Sequence, residues 1–99
     1  MDPNTLKATL IAVITKIQTD SSLECPPITG TTRPVESLPK FDSKIWPVAT
    51  TILSIEIGMP IPNDVNIFVD KATKAPRSID EIVFFVSELL EKNQAQAAA

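Results

Sequence analysis

Apolar residues return at intervals of three and four in three separate stretches of this chain, and prolines crowd the segments between them. That pattern limits the fold to helices packed through one face each, because a period near 3.6 places such residues on a single helical stripe. In the first stretch the stripe is Leu6, Leu10, Val13, Ile14 and Ile17, with Lys7, Thr15, Lys16 and Gln18 on other faces. Asp2 before Pro3 predicts the helix start: a carboxylate can accept from orphan amides, and proline loses nothing at the first helical position. The run Asp20-Ser21-Ser22 predicts its end.

The second stretch runs from Ser43 to Ile57, with Ile45, Ala49, Ile52, Leu53 and Ile57 as the apolar face, Ser43 as N-cap and Gly58 as the stop. Pro47 falls in the first turn and predicts an irregular start, since it disfavours helical angles at Trp46. Thr50, Thr51, Ile52 and Ile55 are β-branched and would also suit a strand, but the period selects a helix. The last stretch opens on a capping box, Ser78-Ile79-Asp80-Glu81, and carries Ile79, Ile82, Val83, Val86, Leu89 and Leu90 on its stripe. From Asn93 a polar tail ending in alanines predicts fraying, so the expected division is a domain over 1–92 and a flexible tail over 93–99.

The connections are unequal. Cys25 to Lys40 holds four of the nine prolines and one of the two glycines, predicting a long irregular loop pinned by Val35 and Leu38. Pro60 and Pro62 mark a turn, and Asp64 to Val69 suggests a short helix with Val65 and Phe68 turned inward. Lys71 to Arg77 reads as a polar linker. The expected fold is therefore all-α: a small four-helix bundle of three long helices plus one short helix before the last.

Composition narrows what such a domain can do. With 43% hydrophobic and 21% charged residues the chain has the balance of a folded domain, and 99 residues leave little room for both a core and a deep catalytic cleft. Nine basic against twelve acidic side chains, with no Lys/Arg cluster, give no electrostatic footprint for nucleic acid. There is no histidine or tyrosine, which removes the commonest neutral-pH base and zinc ligand, and no enzymatic activity is expected. Cys25 is alone, beside a proline pair, without a histidine to activate it. Charged residues interrupt every apolar run, so no membrane insertion is expected, and the N-terminus lacks the order of a secretory signal, so the expected compartment is the cytoplasm. A monomer is the default expectation.

Two short segments carry a resemblance. Leu38-Pro39-Lys40-Phe41-Asp42-Ser43 resembles the Asp-Ser signature of acyl carrier proteins, and Ile61-Pro62-Asn63-Asp64 resembles the Ile-Pro-Asp element that follows the second helix in that family, at the same separation from the serine. Ser78 to Leu90 is similar to the family's closing helix. The resemblance implies a bundle of acyl-carrier type, with 4'-phosphopantetheine transferred from coenzyme A onto Ser43 and Asp42 supporting the transferase's Mg²⁺-bound substrate. It also implies a thioester cargo on the arm, with a phosphopantetheinyl transferase and acyl-loading or acyl-using enzymes as partners. A serine at a helix N-terminus suits this role, because the helix dipole favours a phosphodiester there.

The chain departs from that family at several positions. Lys44 stands where an apolar residue, often leucine, usually follows the serine. The exposed side of the second helix offers Val48, Thr51 and Ser54 and chiefly Glu56 where carriers display several acids, which implies partner contacts more apolar than usual. Pro47 has no counterpart in the common pattern, and the loops before Ser43 and after Phe68 are long. Two readings of Ser43 therefore stand: attachment point of a specialised carrier, or helix cap in a carrier-like fold that serves as an unmodified interaction module. Trp46 reads as a core or loop-covering residue or as an exposed contact near the site. Ile52, Leu53, Phe68 and Val83 would line an acyl shelter under the resemblance, but plain core packing accounts for them better.

Overall fold

The computed structural model describes residues 2–61 and 65–98, and of 93–98 the backbone alone. The described residues are mostly helical and contain no strand; the four helices among them are α1 (Pro3–Asp20), α2 (Pro34–Ser37), α3 (Trp46–Ile57) and α4 (Ile79–Ala98). α1 is the centre of the fold and packs against both α3 and α4. Its stripe is buried as its spacing requires: Leu6, Leu10, Val13, Ile14 and Ile17 all lie in the core. There they meet Ala49, Leu53 and Ile57 of α3 and Ile79, Ile82, Val83, Val86 and Leu90 of α4. Each large aliphatic side chain removed from water this way contributes about 1.5–3 kcal/mol, which is why period decides the architecture of a chain this small.

Helix ends follow local chemistry. α1 begins at Pro3 with Asp2 in extended conformation, although the Asp2 carboxylate makes no capping bond. Gly58 ends α3 in the left-handed region at φ 70°. Its N–H donates to Ile55 O and the Met59 N–H to Ser54 O, so the last carbonyls are satisfied by the chain's own reversal. α4 continues through Ala98, so the polar residues after Lys92 prolong the helix.

Two expectations are corrected. The short helix is α2, inside the proline-rich loop, with Pro34 buried at its first turn; the described part of Asp64–Val69 is not helical. There Asn66 turns the chain by accepting from the Phe68 N–H at 2.9 Å through its side chain. Val69 then forms an antiparallel bridge with Pro76. Phe68 is buried as expected, but against Phe41, edge to face at 5.1 Å between ring centres. The segment can bury its apolar residues without a helix because Asp70 organises the turn that follows, its carboxylate accepting from the Ala72 and Thr73 N–H groups.

The second correction concerns the start of α3, which is Trp46 and not Ser43. Pro47 has no N–H to offer the Ser43 carbonyl four residues back, so the regular ladder cannot begin there. Ser43 to Ile45 form a turn instead.

The proline-rich loop is built into the fold, pinned as expected through Val35 and Leu38. Pro34 and Leu38 are buried and Val35 is packed against the core. The loop also caps α4: Thr32 O accepts from the Ile79 N–H at 2.9 Å and Gly30 O from the Asp80 N–H at 3.0 Å. Ser78 Oγ takes the Glu81 N–H at 3.2 Å, and Glu81 Oε1 returns the bond from the Ser78 N–H at 2.9 Å, completing the capping box. With Ser78 O accepting from the Ile82 N–H, the opening amides of α4 are all satisfied. Arg33 ties the same corner together, donating to Pro76 O and pairing with Glu81 at 3.0 Å.

Candidate functional site around Ser43

The segment that enters α3 is organised by Asp42. Its side-chain Oδ1 accepts from the Lys44 N–H at 3.0 Å, and its carbonyl accepts from the N–H groups of Ile45 at 3.0 Å and Trp46 at 3.2 Å. The Asp42 side chain and backbone thus organise the turn that leads into α3, which itself has no side-chain cap, and the Ser43 hydroxyl takes no part in it. Asp42, Ser43 and Lys44 are all exposed. Among the described residues the Ser43 hydroxyl has no hydrogen-bond partner, so an approaching group would displace only water.

The walls of this corner are tied to the core. Phe41, the residue before Asp42, is buried against Phe68, and the half-buried Trp46 donates its indole N–H to Phe41 O at 3.3 Å. Trp46 therefore covers the loop, in keeping with the loop-covering reading. Pro39 O accepts from the side-chain amide of Gln18 at 3.0 Å, joining the last turn of α1 to the approach to Ser43. Asp42 and Ser43 stand as neighbours in the turn just before the N-terminal end of α3, where the helix dipole is positive.

The other residues of interest lie elsewhere. Ile61 is buried, while Pro62, Asn63 and Asp64 fall outside the described residues. Leu53, Phe68 and Val83 are core residues, and Ile52 is half-buried at the edge of a separate groove between α1 and α3. Of the four only Ile52 lines that groove, and core packing accounts for the other three. Cys25 is half-buried with its sulfur 4.0 Å from Thr15 Oγ1. Among the described residues no group of three or more His, Cys, Asp or Glu side chains could hold a metal ion, and no helix is long and apolar enough to cross a membrane.

The shifted carboxylates are structural. Backbone N–H groups of Thr73 and Ala72 lower Asp70 below the ordinary carboxylate value, and Ser78 does the same to Glu81, first through its backbone N–H and then through its hydroxyl. Both sit at turns that hold α4 in place, away from Ser43. The sequence reading missed the turn-forming role of Asp42; the signal was available in Asp42-Ser43-Lys44, since an aspartate that accepts from the amide two residues on is a common turn former. No family model, curated protein or solved structure matches the chain.

Proposed function

We propose that this protein is a specialised acyl carrier, modified on Ser43 by 4'-phosphopantetheine from coenzyme A, and that it is not itself an enzyme. The observation that carries the reading is the placement of Ser43: an exposed hydroxyl in a hydrogen-bonded turn, beside Asp42 and just before the positive end of α3. In the loading step the Ser43 oxygen attacks the β-phosphorus of coenzyme A, the phosphoanhydride bond breaks, and 3',5'-adenosine bisphosphate leaves as the serine proton passes to base. Asp42 supports the transferase's Mg²⁺-bound substrate from the adjacent position. The arm's thiol then holds an acyl or related group as a thioester, and partner enzymes in the cytoplasm perform the bond making.

A second reading has its own observation. Val48 and Ile55 leave the outer face of α3 apolar, which suits a protein-interaction module with Ser43 unmodified. Intact-protein mass before and after incubation with coenzyme A, Mg²⁺ and a broad-specificity phosphopantetheinyl transferase separates the two. A gain of one phosphopantetheine group, absent in Ser43→Ala, is the carrier outcome. A folded protein that gains nothing with several transferases is a module.

A further inference from the structure

Ser43 lies in a turn whose two ends are anchored in the fold. On one side Phe41 is buried and meets Phe68 edge to face. On the other Trp46 packs half-buried against the core, and its carbonyl accepts from the Thr50 hydroxyl at 2.8 Å. A side-chain bond joins the two ends directly: the Trp46 indole N–H donates to Phe41 O at 3.3 Å, closing residues 42–45 into a loop with Ser43 inside it. Asp42 works within that loop, accepting from the Lys44, Ile45 and Trp46 N–H groups.

Pro47 makes such a tie necessary. It has no N–H for the Ser43 carbonyl, so helical geometry gains no bond at Ser43, and bonds across the turn must offset the entropy of ordering it. The indole nitrogen is a donor only, and half-buried it is held to its acceptor. We propose, resting on the carrier reading of Ser43, that Trp46 is a positioning residue for loading: its bond to Phe41 O holds the 42–45 turn in the form that a phosphopantetheinyl transferase takes up. Trp46 acts through the turn, because its N–H is engaged by Phe41 O and is not offered to the transferase. Losing the bond lowers the fraction of chains with the turn formed, and apparent affinity falls in proportion to that fraction. KM for this protein then rises while kcat, set after binding, stays the same.

Steady-state loading of the full chain by a broad-specificity transferase with coenzyme A and Mg²⁺, read by intact mass at varied concentrations of this protein, tests the proposal. Trp46 is the only tryptophan, so its replacement by benzothienylalanine, with sulfur where the indole N–H stands, deletes this bond and keeps the ring. KM should rise roughly fivefold with kcat unchanged, the effect of losing one hydrogen bond of ordinary strength. Trp46→Phe should move KM in the same direction. Ser78→Ala, which weakens the fold at the α4 capping box away from Ser43, should keep the KM of the parent. A parent chain that is loaded, with KM indifferent to loss of the indole N–H, overturns the proposal and leaves the carrier reading standing. So does a fall in kcat at constant KM, or an equal rise in KM for Ser78→Ala. A folded parent chain that gains no mass with several transferases overturns the carrier reading and the role of Trp46 with it.

Discussion

The carbonyl of Gly30 accepts from the Asp80 N–H at 3.0 Å, and the two residues stand so close that a Cβ on Gly30 would lie 2.3 Å from Asp80 Oδ2. A Cβ at Gly30 would displace the exposed Asp80 carboxylate, because the loop presses its carbonyl onto the first turn of α4. The neighbouring Lys7 holds the Asp80 carboxylate at 3.0 Å from the other side. Gly30→Ala should therefore swing Asp80 off Lys7 and cost about 1 kcal/mol. In an Asp80→Ala background the same substitution should cost less than about 0.5 kcal/mol. A double-mutant cycle by urea unfolding measures the coupling, and additive effects would mean that the contact is not what Gly30 serves.

The turn at the entry to α3 is held by Asp42. Asp42→Ala should cost about 1 kcal/mol through loss of its bond to the Lys44 N–H, whereas Ser43→Ala should change stability by less than about 0.5 kcal/mol. Thermal unfolding of the two variants decides the assignment. The reverse ranking would restore Ser43 as the cap and remove the reason to regard its hydroxyl as available.

Stability should fall in acid, and the sign follows from the capping box. Bonds from Ser78 lower Glu81 below its ordinary value, so near and below pH 4.5 the unfolded chain binds more protons than the folded one. The stabilisation is full above the unfolded value and is lost as pH falls through the lowered folded value. Asp70, lowered by the Thr73 and Ala72 N–H groups, adds to the same trend from a starting value of 3.8. Urea midpoints measured from about pH 6 to about pH 3 should drop, and Glu81→Gln should flatten part of the drop. Ser78→Ala, which removes the other half of the box, should cost about 1 kcal/mol at neutral pH.

Gln18 is fully buried, with its amide nitrogen donating to Pro39 O at 3.0 Å and to Glu24 O at 3.5 Å, while Oε1 has no partner. Gln18→Glu would set a carboxylate against two carbonyls with no donor. The variant should lose about 2–4 kcal/mol at pH 7. Its folded pKa should be raised, so the penalty is absent below the ordinary glutamate value of about 4.3 and grows as pH rises. Unfolding at pH 7 and pH 4.5 against a Gln18→Met control measures this; a penalty independent of pH would mean that residue 18 reaches water.

Period and punctuation determined the helices of this protein. The stripe from Leu6 to Ile17, the capping box at Ser78 and the stop at Gly58 are local devices, each complete within a few residues, and each is found where the sequence places it. The candidate residue was legible in the same way: Asp42-Ser43 is a local pattern, and its exposure agrees with its place before an apolar run. What tertiary structure alone decided is whatever depends on partners distant in the chain. The short helix formed at Pro34–Ser37 because Pro34 and Leu38 find the core there, while the residues around Phe68 bury themselves against Phe41 without one. The late start of α3 at Trp46 is by contrast a local effect, since the missing Pro47 N–H is felt four residues back at Ser43, and Pro47 already predicted an irregular start. Nor could composition reveal that Gly30, Thr32 and Arg33 would close the end of a helix more than forty residues later, since hydrogen bonds of that span are made only once packing has brought the two segments together.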